Sequence, residues 1–200
     1  KIRAVSSLEE FPPNALRRKK DPWWRGGFSL GVDLGFLCSH GVTTIFYLLG
    51  GLHVKLLNVN SFSTYLFFFF FFEMMQEADE FIIGLTKSID GKETPQSNKV
   101  RSVAGRLAVR AADRSHYIMG WRVYLQDEHG TSTEATGLMI DMGLNKFARH
   151  TSNDAYVALV LLERYFSMSG EETEIVMPKD MDLQEKFKRG APKDIDFLLE

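Results

Sequence analysis

From Phe28 to Gly35 the chain alternates, with Phe28, Leu30 and Val32 on one face and Ser29, Gly31 and Asp33 on the other, the period of a half-buried strand. "FIIGL" (81–85) is a short continuous apolar run, as in a strand covered on both faces. From about Ser97 to Arg114 the period changes to that of a helix. Val100, Val103, Leu107 and Ala111 share one face, and Arg101, Arg106 and Arg110 lie outside it. "WRVYLQDE" (121–128) predicts another strand, and Thr131 with Glu134 fits a capping box opening a helix that stops near Gly143. "NKFARHTS" (145–152) reads as a basic loop. A last core helix over about 153–168 buries Ala155, Ala158, Leu159, Leu162 and Phe166. Strands alternating with helices imply an α/β domain whose sheet has parallel members covered by helices, with ligands expected at the carboxyl ends of the strands.

Other stretches are less regular. Residues 1–27 form an arm broken by Pro12, Pro13, Pro22, Gly26 and Gly27. Within it Arg17, Arg18, Lys19 and Lys20 precede Trp23 and Trp24, a mixture that suits either a solvated arm or a grip on phosphates and bases. "TTIFYLLGGLHVKLLNV" (43–59) has the Gly50-Gly51 pair of a hairpin turn, and "EMMQEADE" (73–80) resembles the end of a helix. Residues 169–200 are charged and punctuated by Pro and Gly, the composition of a loosely held tail. The chain opens on Lys1, so further sequence, with any targeting peptide, is expected ahead of it.

Composition narrows the function classes. A net charge of −2 gives no bulk basicity, yet residues 1–27 carry seven Lys/Arg against three acids and 169–200 five against nine, so any polyanion contact must be local. The single cysteine, Cys38, excludes an internal disulfide and a Cys-rich zinc site. The most uniform apolar run, Tyr65–Phe72, falls far short of the ~20 residues a spanning helix requires. No membrane partner is expected.

Three acids stand where this architecture places ligands. Asp33 lies near the end of the first strand, Glu128 (after Asp127) closes "WRVYLQDE", and Asp154 opens the last core helix. Carboxylates brought together repel, and a hard divalent cation with oxygen ligands relieves that repulsion. Mg²⁺ or Mn²⁺ held in this way supports hydrolysis of phosphodiesters. Each acid also has a plain structural role available: helix-dipole complement for Asp154, strand-end polarity for Asp127 and Glu128, a phosphate-binding turn of an ATPase for "GVDLG".

The residues also resemble a known family. "LGVDLG" (30–35), "DEFIIGLTKSIDGKETPQSNKVRSVAGRLAVR" (79–110), "WRVYLQDEHGTSTEA" (121–135) and "NDAYVALVLLERYF" (153–166) are similar, in order, to motifs of the YqgF proteins, RNase H-like nucleases related to the RuvC Holliday-junction resolvases. The resemblance implies an RNase H-like α/β fold with a mixed five-stranded sheet over 28–168, flanked by the arm and the tail. It implies a metal-dependent nuclease with Asp33, Glu128 and Asp154 as catalytic metal ligands and Mg²⁺ or Mn²⁺ as cofactor. The substrate implied is structured RNA, with pre-16S rRNA processing as the favoured role and branched DNA as the alternative. Arg101, Lys146, Arg149 and the run Arg17–Lys20 are the expected phosphate contacts. The arm and tail resemble those of plant members, which implies a plastid location, a cytoplasmic one being the alternative.

Departures from the family are specific. Cys38 stands in "FLCSHGV" where the family has a basic residue, Thr86 replaces a turn proline, His129 replaces an arginine, and "SHYIMG" (115–120) is an insertion. Residues 36–72 carry no family character, and the six phenylalanines of Phe67–Phe72 are what a pyrimidine-rich tract before a splice acceptor would encode. The segment reads as translated intron or a lineage-specific insertion, with family sequence resuming near Glu73. Loss of the strands that brace Asp33 would leave a nucleic-acid-binding protein with impaired catalysis.

Overall fold

The computed structural model describes residues 10–23, 27–35, 43–49, 78–114 and 122–189. In chain order the elements are α1 (Asn14–Lys20), β1 (Ser29–Gly35), β2 (Thr43–Leu49), β3 (Glu80–Leu85), α2 (Pro95–Arg114), β4 (Arg122–Asp127), α3 (Thr131–Asp141), α4 (Lys146–Ser167), β5 (Glu174–Ile175) and α5 (Met181–Arg189). The strands form one mixed sheet in the order β2-β1-β3-β4-β5. β1, β3 and β4 are parallel, and β2 and β5 run antiparallel at the two edges.

The core follows the sequence pattern. β3 is central and buried along its whole length, as a continuous apolar strand must be when helices cover both faces. α2 lays Val100, Ala104, Ala108 and Ala111 on one side of the sheet. α4 lays Ala158, Leu161, Leu162 and Tyr165 on the other. Gly31 makes the second contact close: a Cβ there would stand 2.7 Å from Leu162 Cγ and 3.0 Å from the Ala158 carbonyl. Only glycine lets α4 lie so near β1.

Several expectations change. "NKFARHTS" is not a loop: α4 begins at Lys146, where Asn145 caps it by accepting a hydrogen bond from the Ala148 amide at 2.9 Å. Its first two turns carry no buried apolar face, with Lys146, Phe147, His150 and Thr151 all exposed, so apolar periodicity misses them. The Thr131–Glu134 capping box does not form. Gly130 occupies the N-cap at φ 79°, Thr131 donates to the Glu128 carbonyl, and Glu134 pairs with Arg164 at 2.7 Å.

The segment from 36 to 72 does supply a strand. β2 pairs with β1 from Ser29↔Leu49 to Gly35↔Thr43, placing Ile45 opposite Asp33. Asp33 is therefore braced on that side. The Gly50-Gly51 turn, the poly-Phe run, Cys38, the 115–120 insertion and most of 73–80 lie outside the described residues.

The arm and tail also make contacts that their composition conceals. Phe11, Asn14 and Ala15 are buried, and residues after Ser169 provide β5 and α5, the latter packed on α2. A buried polar network pins the arm. Glu80 accepts hydrogen bonds from Ser29 Oγ (2.6 Å), Tyr165 Oη (2.5 Å) and the Asn14 amide (2.9 Å). Arg122 stands 3.7 Å from Glu80 and donates to the Pro12 carbonyl (2.6 Å) and Asn14 Oδ1 (2.7 Å). Such a network is tolerable inside a core because almost every member is satisfied. Among the described residues no helix is long and apolar enough to cross a membrane.

Candidate active site

The carboxyl ends of β1 and β4 point the same way, because both strands are parallel to β3. Val32 is level with Ile83, and Gly84 with Gln126, so Asp33 sits one step further, beside Gly84. Asp33, Gly31 and Ser29 share the face that α4 covers. Asp154 is the ninth residue of α4 and reaches this end of the sheet. All three acids are partly exposed, so a solute can reach them.

Electrostatics couple Asp33 to the other two acids. The Asp33 carboxyl is pushed from 3.8 up to about 7, first by burial, then by the charge of Glu128 and then by that of Asp154. Burial also raises the Glu128 carboxyl, with a hydrogen bond from Thr86 Oγ1 pulling the other way and the Asp127 charge adding to the rise. Asp127 itself is engaged elsewhere: its Oδ2 pairs with Lys87 at 3.0 Å and its Oδ1 accepts from the His129 amide at 2.9 Å.

Sequence reasoning missed two residues that aim Glu128. Thr86, noted only as a departure from the family's turn proline, donates to Oε1. Gly84 leaves room for Oε2, which a Cβ at that position would strike. The signal for both was present in "GLT", where a glycine inside a strand marks a close approach. Glu128 Oε2 and both amide atoms of Gln126 are buried without a hydrogen-bond partner. Buried polar atoms left open in this way mark a place where something else belongs.

The residues fit a hard divalent cation. The donors are all oxygens, Glu128 Oε2 lacks a partner, and Asp33 is held uncomfortably close to two like charges. The ligand set is not preassembled, however. As the side chains stand, no group of three or more His, Cys, Asp or Glu among the described residues has the spacing to hold a metal ion. To share one ion the carboxylates would have to rotate together, as expected of side chains without a metal. Repulsion keeps bare carboxylates apart, which is the physical reason.

The expected phosphate contacts divide into groups. Lys146 and Arg149 lie on the first turns of α4, at the acids' end, with Arg149 Nη1 donating to the Leu144 carbonyl at 2.7 Å. The run Arg17–Lys20 lies at the opposite end of α4. Arg18 stacks over Phe166 at 5.1 Å, Arg17 donates to the Pro12 carbonyl, and Lys19 pairs with Glu171. Arg101 is held by Glu93 and Glu174 at 2.6 and 2.8 Å, where it ties β5 to the α2 side. The structure therefore does not bring Arg101 or the arm to the acids.

A mixed sheet of this order, flanked by helices and with acids at the carboxyl ends of its parallel strands, defines an RNase H-like domain. Residues 71–168 match the family described as RuvX: Holliday junction resolvase. Three similar proteins each bear the name "Putative pre-16S rRNA nuclease". The one from Cronobacter sakazakii is 32% identical over 47% of this chain and 62% of its own length. That from Bordetella parapertussis is 34% identical over 49% and 63%, and that from Escherichia coli O1:K1 / APEC 30% over 45% and 59%. The chain thus spans about three fifths of the relatives it matches. The family match begins after β1, so Asp33 joins the site by the fold and not by that alignment.

Proposed function

We propose that this protein is a metal-dependent nuclease that hydrolyses phosphodiester bonds in structured RNA, with the ends of pre-16S rRNA as its favoured substrate. The observation that carries the reading is the placing of Asp33 and Glu128 on either side of Gly84 at the carboxyl ends of β1 and β4, where burial first, and then the charges of Glu128 and Asp154, raise the Asp33 carboxyl. When bound, a Mg²⁺ or Mn²⁺ ion would neutralise these carboxylates and polarise the phosphate under attack.

The chain's own residues supply the rest. Asp33, Glu128 and Asp154 would hold the ion, with Thr86 fixing Glu128 by its hydrogen bond and Gly84 giving the carboxylate room to face Asp33. Lys146 and Arg149 at the start of α4 would position the nucleic-acid backbone without reading sequence. The arm's basic run would touch only a substrate long enough to extend the length of α4. A plastid location follows the resemblance of arm and tail to plant members.

The match to a family of Holliday junction resolvases favours a second substrate, branched DNA. Incubating the protein with a labelled precursor rRNA end and with a four-way DNA junction, each with Mg²⁺, Mn²⁺ or chelator, separates the two. Cleavage of the RNA alone supports this reading, and cleavage of the junction alone replaces it with the second. Binding without cleavage of either would identify an impaired binding protein.

A further inference from the structure

α4 is longer than the sheet it covers. Ala158, Leu161 and Tyr165 are fully buried, and with Asp154 they lie on one stripe, since steps of three, four and seven residues return to nearly the same side of a helix. Extended towards the N-terminus, that stripe arrives at Phe147, seven residues before Asp154 and therefore roughly 10 Å further out along the helix axis. Phe147 is 78% exposed. The first two turns of α4 thus extend beyond Asp154, with an exposed aromatic ring on the same stripe of the helix.

The ring's neighbours say what it meets. Lys146 precedes it and His150 follows one turn later, and both are exposed. An apolar protein partner would find this ring set among polar side chains, with Thr151 also exposed beside it. A nucleobase flanked by phosphates matches the pattern, because a base needs a flat apolar face and its phosphates need a cation within a few ångströms.

We propose that Phe147 is a stacking platform for one unpaired base of the substrate strand, with Lys146 contacting the adjoining phosphate. The inference rests on the nuclease reading, in that a nucleic acid must enter the acidic site. It adds that the strand leaves this site along α4 with a base unstacked about two helical turns from Asp154. Stacking is indifferent to base identity, so Phe147 sets where the strand is cut relative to a single-stranded segment and not which sequence is cut.

The test uses the full chain carrying Asp33→Asn to prevent cleavage, Mg²⁺, and a short single-stranded RNA in which one base is the fluorescent analogue 2-aminopurine. Binding should quench the fluorescence of one position in a series of probes. Adding Phe147→Ala should remove that quenching and weaken affinity about tenfold, the loss expected for one stacked base. Phe147→Trp should retain both, whereas Phe147→Leu, which keeps apolar bulk without a flat ring, should not. Equal affinity and quenching in the Ala variant, or full rescue by Leu, would overturn the platform while leaving the nuclease reading intact. Failure of the protein with Phe147 in place to bind any RNA would overturn both. A shift in oligomeric state with Phe147→Ala at unchanged RNA affinity would assign the ring to a second copy of the chain and overturn the proposal.

Discussion

Glu128 lies over Gly84, so that a single Cβ added to the glycine would collide with the carboxylate oxygen Oε2. The atom in the way is the tip of a flexible side chain, not backbone. Gly84→Ala should therefore fold with a melting temperature close to that of the parent while swinging Glu128 away from Asp33. A displacement of about 1 Å at a reacting centre costs roughly a hundredfold in rate. Cleavage should fall by about that factor, and a thermal melt run in parallel separates this loss from unfolding.

The Asp33 carboxyl gives the metal-free protein a characteristic pH dependence. Its folded pKa, about 7, lies above the ordinary 3.8, so between those values the folded state holds a proton that the unfolded state has lost. Stability must fall as pH rises from about 4 to about 7 and then level off. The loss is on the order of a few kcal/mol, at ~1.4 kcal/mol per unit. Asp33→Asn should flatten that slope and raise the melting temperature at pH 8. Addition of Mg²⁺ should raise it in the parent and not in the variant. Chemical denaturation across this pH range, with chelator present, reads the effect directly.

The network around Glu80 makes the N-terminal arm part of the fold. Removing one partner of a buried, hydrogen-bonded ion pair costs about 3–5 kcal/mol, because the other charge is left without compensation. Glu80→Ala should destabilise the protein by that much in urea or guanidinium titrations. A chain starting at Gly27, which lacks Pro12 and Asn14 as partners of Arg122, should be similarly weakened. Full stability in either would show that the arm is only laid on the surface.

The basic run of the arm is engaged with its own domain. Changing Arg17, Arg18, Lys19 and Lys20 together to Ala should lower stability while leaving the salt dependence of binding to a short RNA unchanged, since none of the four is at the acids' end of α4. A flatter salt slope would place the substrate along the whole helix. The matching change of Lys146 and Arg149 should flatten that slope by close to the loss of two phosphate contacts.

What the sequence disclosed depended on the kind of signal each part carried. β1, β3, β4 and α2 were legible because apolar period reports burial, and these elements are buried on one or both faces. The start of α4 was hidden because its first turns carry no buried apolar face, and only the Asn145 cap announces a helix. The docked arm was hidden because its anchors are polar: nothing in "FPPNAL" shows that Asn14 will meet Glu80 and Arg122. The acids were expected by type, Asp33 and Glu128 near the ends of their strands, but Asp154 does not open its helix as the pattern suggested: it is the ninth residue of α4. The aim of the acids was not legible, since it depends on Thr86 and Gly84 in a neighbouring strand and on how closely Gly31 lets α4 approach.

A nuclease of this kind requires Asp33, Glu128 and Asp154 to act as one site. The most direct measurement is the cleavage rate of a labelled precursor rRNA end by Asp33→Asn protein beside its parent, with Mg²⁺ present and binding followed on the same RNA. The substitution keeps the shape of the side chain and removes its charge. Cleavage should disappear while affinity for the RNA is nearly unchanged. An Asp33→Asn protein as active as its parent would contradict that requirement.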